Sequence, residues 1–202
     1  MEKFIPEILR GNLSPVYCPL CSTQLTFSNS NSINCLNGHS YEIAPSGYID
    51  MYSVSATDHY RPGNDIPVAL ERELCGLLYA EYAMNNCLTI LDTSAGFQGL
   101  FSNILMSMRW DLYRYEAIGL VAGKEWMPLH TGAVDIVLNI LSDCNLEECV
   151  RILKPGGLLV KTISLQDLNN VVKQVIRQQA FSDIKKVEID GSYAILCCRK
   201  AW

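Results

Sequence analysis

The sequence predicts an α/β protein, a doubly wound sheet preceded by a small Cys/His module. Three observations carry that reading. From Leu88 onward, apolar runs alternate with stretches of helical periodicity; between Tyr17 and Tyr52, three cysteines and a histidine crowd a polar segment; and 202 residues suffice for one medium domain with a small module attached.

The cluster is Cys18, Cys21, Cys35 and His39, spaced C-x2-C-x13-C-x3-H. Two close pairs on tight turns, separated by a loop long enough for a hairpin, suit one tetrahedral zinc ion. Three thiolates and an imidazole fill all four positions and leave none for water, so the site is structural. The intervening "STQLTFSNSNSIN" alternates around an Asn/Ser turn as two short strands would, and "HSYEIA" supplies a third. A zinc ribbon follows, because a polar segment this short has too few apolar residues to fold without metal.

In the α/β part, "LTILDTSAG" reads as a buried strand entering a small-residue turn, and "FQGLFSNILMSM" as a helix with Leu100, Ile104 and Met108 on one face. "EAIGLVAG", "AVDIVLNIL", "GGLLVKTIS" and "YAILCCR" read as further strands. "NLEECVRILKPGG" and "LQDLNNVVKQVIRQQAF" read as helices, the first stopped by Pro155-Gly156-Gly157. The alternation implies a parallel sheet, and in such sheets a ligand sits beyond the carboxyl ends of the strands. Gly96 and Gly99 in the first turn form a weak G-x-x-G, read equally well as a turn that lets the backbone approach a ligand closely or as a plain strand-to-helix turn.

Composition narrows the function. Hydrophobic residues make up 49% and charged residues 18%, which fits a folded chain with an apolar interior. A net charge of −5 argues against affinity built on a broad phosphate-binding surface. Lys173, Arg177, Lys185, Lys186, Arg199 and Lys200 outnumber nearby acids, a pattern read as a solvated surface. The apolar runs are shorter than a membrane span, and "MEKFIPEILRGN" lacks the features of a secretory signal, so the expectation is a cytoplasmic protein with no membrane partner. Cys75, Cys87, Cys144, Cys149, Cys197 and Cys198 then read as reduced, buried small hydrophobes. His59 and His130 read as solvated loop residues, and Tyr41, Tyr48, Tyr52 and Tyr60 as packing for the ribbon.

Taken together, "YCPLCSTQL", "CLNGHSYEIAPSGYIDMY", "RPGNDIPVALER", "EWMPLHTGAVDIVLNIL" and "ECVRILKPGGLLVKTIS" resemble, in that order, segments of the bacterial 23S rRNA guanine-N1 methyltransferases. That family joins a zinc ribbon to a class I S-adenosylmethionine (SAM)-dependent domain. The resemblance implies a ribbon over 1–53, a helical linker over 54–86 and a shortened class I methyltransferase-like (Rossmann-like) domain over 87–202. It implies zinc on Cys18, Cys21, Cys35 and His39, and SAM contacts from Asp92, Ser94, Gly96, Gly123, Lys124 and Asn139. The implied substrate is a guanine in an rRNA hairpin.

The chain departs from that pattern at the cofactor side. The family's first turn looks like L-D-I-G-C-G-E-G, whereas Leu91-Asp92-Thr93-Ser94-Ala95-Gly96-Phe97-Gln98 keeps only the middle glycine. The helix between second and third strands is missing, leaving Asp111 or Glu116 as the residual ribose acid. Where the family has I-Y-A-P the chain has Ile140-Leu141-Ser142-Asp143, and after Arg72 the expected Gly-His-Tyr is Tyr79-Ala80-Glu81. Two readings result: a methyltransferase with a degraded cofactor site, or an inactive methyltransferase-like zinc protein. In the second, apolar surface bared by the missing helix is covered by a partner protein or by self-association.

Overall fold

The computed structural model describes residues 16–29, 32–43, 48–51, 66–84, 88–93, 119–121 and 126–202. The chain divides into two compact units, residues 1–57 with 113–130, and residues 58–112 with 131–202.

In the first unit, β1 (Leu25–Asn29), β2 (Ser32–Cys35) and β3 (Ser40–Glu42) form an antiparallel meander. Alternation decides which side is buried: Leu25, Ile33 and Tyr41 turn inward, while Thr26 and Ser40 face solvent. Ile33 pairs with both Phe27 and Tyr41. Val16, Tyr17, Ile49 and Met51 complete a core too small to stabilise this unit alone.

The sequence stretch "EAIGLVAG", expected as a strand of the main sheet, instead supplies β6 (Gly119–Val121), which runs parallel to β4 (Tyr48–Asp50). Periodicity identifies a strand but not its neighbour. Leu129 also bridges Val16, and the Tyr17 amide donates to the Pro128 carbonyl at 3.0 Å.

In the second unit a five-stranded sheet has the order β5-β7-β8-β10-β9. Its members are β5 (Ile90–Asp92), β7 (Val134–Ile140), β8 (Leu153–Ser164), β9 (Phe181–Ile189) and β10 (Tyr193–Lys200). β5, β7 and β8 are parallel, as the sequence implies. β10 is not: it inserts antiparallel between β8 and β9. A tight turn at Asp190 and Gly191, both with positive φ, joins β9 to β10 and can only make an antiparallel pair.

Helix α1 (Val68–Met84) lays Leu70, Leu74 and Leu78, four residues apart, on one sheet face. There they meet Ile136, Leu138 and Ile140 of β7, two residues apart, together with Leu158 and Val160 of β8. Helix α2 (Leu146–Ile152) is capped by Asn145, whose Oδ1 accepts from the amides of Glu147 and Glu148 at 3.0 and 3.3 Å. Glu148 in turn grips Arg151 in a two-pronged ion pair. Helix α3 (Leu168–Arg177) buries Leu168 and Val175.

The α2-to-β8 junction is tighter than a Pro-Gly-Gly helix stop requires, for the helix ends at Ile152 and the strand begins at Leu153. Gly157 explains the close fit. A Cβ there would stand 2.8 Å from the Lys154 carbonyl oxygen and 3.1 Å from that of Asp135. Gly157→Ala is therefore expected to cost about 1–3 kcal/mol, measured by urea denaturation. An unchanged midpoint would show that the junction has room to spare.

Candidate functional site

Two sites emerge, one in each unit. In the first unit the four ligand atoms of Cys18, Cys21, Cys35 and His39 lie within 4.8 Å of one another. Cys21 Sγ is 3.6 Å from Cys35 Sγ, and His39 Nδ1 is 3.5 Å from Cys18 Sγ and 3.3 Å from Cys35 Sγ. Zinc bonds of about 2.3 Å to sulfur and about 2.0 Å to nitrogen, at tetrahedral angles, give edges of roughly 3.8 Å between sulfurs and roughly 3.5 Å from sulfur to nitrogen. These three separations are close to the edges of a zinc tetrahedron.

Local backbone explains how the ligands converge. Ser22 donates its amide to the Cys18 carbonyl at 2.8 Å, closing the first turn. In the second, Gly38 donates to the Cys35 carbonyl at 3.0 Å with a φ of +84°, a conformation that glycine adopts without strain. The His39 amide then points at Cys35 Sγ, 3.3 Å away.

The thiols are unequal. The Thr23 hydroxyl, 3.1 Å from Cys21 Sγ, holds that thiol down to about 5. Burial pushes Cys35 up, but hydrogen bonds from the Thr23 side chain and the His39 and Asn37 amides outweigh it and bring it below the usual thiol value. Burial pushes Cys18 up. Cys21 and then Cys35 draw His39 upward through their hydrogen bonds. Bound zinc replaces these protons, since thiolate is the form that ligates.

Behind the cluster, the Tyr41 hydroxyl meets Cys18 Sγ at 3.0 Å. Tyr41 thus packs the ribbon, as expected, and also supports a ligand. Tyr41→Phe is expected to weaken zinc binding about tenfold, the low end for loss of an outer-shell hydrogen bond, by competition with a chromophoric chelator. Equal affinity would reduce Tyr41 to packing. His130 is exposed, as the sequence reading has it, with its ring 5.0 Å from that of Tyr17, which also meets Trp126 edge-on at 5.1 Å. His59, Tyr52 and Tyr60 lie outside the described residues.

The second site is at the carboxyl ends of β5, β7 and β8, where ligands of open α/β sheets bind. Of the residues expected to touch SAM, Asp92 ends β5 and Asn139 lies near the end of β7; Ser94, Gly96, Gly123 and Lys124 lie outside the described residues. Asn139 is fully buried. Its Nδ2 donates to Thr93 Oγ1 at 2.9 Å and to Ser142 Oγ at 2.8 Å, and its Oδ1 accepts from Lys161 Nζ. With those bonds in place, the Asn139 amide is fully engaged within the strand-end network. Thr93 Oγ1 donates to the Leu138 carbonyl at 3.0 Å, and Leu141, at a φ of +47°, gives its amide to Thr162 Oγ1 at 2.8 Å. The network therefore ties the three strand ends together.

Sequence reading missed Lys161. A signal was present, because "GGLLVKTIS" and "AVDIVLNIL" place Lys161 and Asn139 inside buried runs, and these two face one another in register. Nearby, a hydrogen bond with Cys149 holds the Cys144 thiol down to about 7, with a smaller contribution from Lys161. Of the cysteines expected to be buried, Cys149, Cys197 and Cys198 are, Cys75 and Cys144 are half-buried, and Cys87 lies outside the described residues.

Comparison with known proteins follows the same division. Residues 16–56 match the zinc-ribbon family described as "RlmA, N-terminal". The chain is similar to the 23S rRNA guanine-N1 methyltransferases. A 23S rRNA (guanine(748)-N(1))-methyltransferase of Streptomyces fradiae is 23% identical over 178 residues, covering 74% of this chain and 63% of that protein. YxjB of Bacillus subtilis (strain 168), named for 23S rRNA guanine-N1 methyl transfer, is 26% identical over 186 residues, covering 74% and 64%. The chain thus spans less than two thirds of the length of either relative. Among solved structures, the DszA carbon methyltransferase superposes with a TM-score of 0.53 at 12% identity, over 68% of this chain and 55% of that one. The fold is that of class I SAM-dependent methyltransferases with an N-terminal zinc ribbon.

Proposed function

We propose that the chain is a SAM-dependent methyltransferase acting on guanine N1 of 23S rRNA, with one structural zinc. The observation that carries the reading is the pairing, in one chain, of a ribbon matching residues 16–56 with a class I methyltransferase sheet. The organisation it adopts is a ribbon over 1–53, a helical linker over 54–86 and a methyltransferase-like domain over 87–202. An rRNA substrate goes with a cytoplasmic protein, and among the described residues no helix is long and apolar enough to cross a membrane.

Bound SAM supplies an electrophilic methyl group. Asp92, Ser94, Gly96, Gly123 and Lys124 are the proposed contacts to it, and Asn139 fixes the strand ends beneath. Catalysis of this kind rests on holding the guanine, drawn out of its stack, in line with that methyl.

The test is methyl transfer from labelled SAM to 23S rRNA, with primer extension to map the product. N1-methylguanine blocks Watson–Crick pairing, so a new stop at a guanine is expected. Transfer to no guanine of 23S rRNA overturns the reading. A second reading, an inactive methyltransferase-like zinc protein that binds a protein partner or a second copy of itself, is favoured by the engaged Asn139 and by Phe97-Gln98 in the first turn. It expects zinc at one per chain with no transfer.

A further inference from the structure

Two cysteines stand where the entry into a helix brings side chains together. Asn145 caps α2, and Cys149 donates its amide to the Asn145 carbonyl at 3.0 Å, closing the first turn. Cys144 therefore precedes the cap, and Cys149 is the fourth residue of the helix. Side chains at those two positions pack on one another at many helix starts, ordinarily as a pair of apolar residues that fixes the direction of entry. Here the pair is two thiols. Both are reduced, Cys149 fully buried and Cys144 half-buried.

Their contact is unequal. Cys149 donates a hydrogen bond to the Cys144 sulfur, which is the largest influence on each: it holds Cys144 down to about 7 and, together with burial, pushes Cys149 up. Lys161 draws Cys144 down further, and Asp143 opposes it more weakly. Near neutral pH a large share of Cys144 is thiolate, the reactive form, while Cys149 keeps its proton. Sulfurs in hydrogen-bond contact are a short step from the about 2.05 Å of a disulfide. We propose that Cys144 and Cys149 are a redox pair, in which Cys144 reacts with a small peroxide and Cys149 then closes a disulfide across the start of α2.

The Cys144 thiolate attacks one peroxide oxygen, the O–O bond breaks, and hydroxide leaves with the electron pair, so that Cys144 becomes a sulfenic acid. Attack by the Cys149 sulfur then forms the S–S bond and breaks the S–O bond, and the Cys149 proton departs with the hydroxyl as water. The thiolate that held that proton is gone by this stage, and with it the largest influence that kept Cys149 protonated. Two thiols are oxidised and one peroxide is reduced. The bridge pins the first turn of α2 to the loop leaving β7, where the Asp143 carbonyl accepts from Asn139 Nδ2 at 3.5 Å and the Ser142 carbonyl from Lys161 Nζ at 2.7 Å. This modification stands apart from methyl transfer and holds whether or not the chain is a methyltransferase.

Both cysteines fall in one tryptic peptide, residues 125–151, which contains no other cysteine. The test treats the zinc-loaded full chain with hydrogen peroxide, removes the peroxide, alkylates in denaturant, digests and weighs that peptide by mass spectrometry. The expected peptide takes up no alkyl group and is lighter by two hydrogen atoms, and reduction before alkylation restores both labels. A parallel run includes dimedone, which traps sulfenic acids. Because a neighbouring thiol reacts far faster than a dissolved reagent, the dimedone adduct at Cys144 is expected to be at least about tenfold more abundant in Cys149→Ser than in wild type. A wild-type peptide that stays doubly alkylated overturns the proposal, as does equal dimedone labelling of the two proteins.

Discussion

Cys35→Ser releases zinc and unfolds the ribbon. Structural zinc contributes roughly 10–16 kcal/mol in small zinc modules, so one ligand of four accounts for about 3–4 kcal/mol, or two to three orders of magnitude in affinity. The cost falls on a unit whose other stabilisation is slight, since Leu25, Ile33, Tyr41 and Ile49 make up much of its buried core. After dialysis against a chelator that leaves wild type at one zinc per chain, the variant is expected to hold none, and protease to cut within 16–51. Cys198→Ser, on β10, is the control and keeps its zinc. A zinc-retaining Cys35→Ser protein would mean that the cluster is not the metal site.

Asn139→Leu is expected to cost about 3–5 kcal/mol, because it removes the side chain that solvates a buried ammonium while keeping the volume. Lys161 would lose the Asn139 oxygen and keep the Ser142 carbonyl, and Thr93 Oγ1 and Ser142 Oγ would each lose a donor. Combining it with Lys161→Met replaces both ends of the cross-strand pair by apolar groups and should recover much of the loss. A double-mutant cycle in urea measures the coupling. A cost below about 1 kcal/mol for Asn139→Leu alone would show that water reaches the strand ends and solvates Lys161.

Where information is local, the sequence was readable. The zinc ligands lie within 22 residues, counting Cys18 to His39, and ligand spacing is a property of two turns. The strands β1, β2, β3, β7, β8 and β10 were legible because burial writes alternation or continuous apolar runs into short segments. The partner of β6 was not, and neither was the antiparallel insertion of β10 in a sheet read as parallel. Both depend on which edge is free when a strand arrives, which no periodicity records.

The functional ends divide in the same way. By itself the sequence determined a zinc ribbon, an α/β chain and a resemblance to the guanine-N1 methyltransferases, because metal ligands, hydrophobic periodicity and family segments are each carried by neighbours along the chain. Only the tertiary structure decided what Asn139 does. Lys161 is 22 residues away and Thr93 is 46, and strand register alone brings their polar atoms onto its amide. A hydrogen bond needs atoms within about 3 Å, and that closeness arises when the sheet assembles.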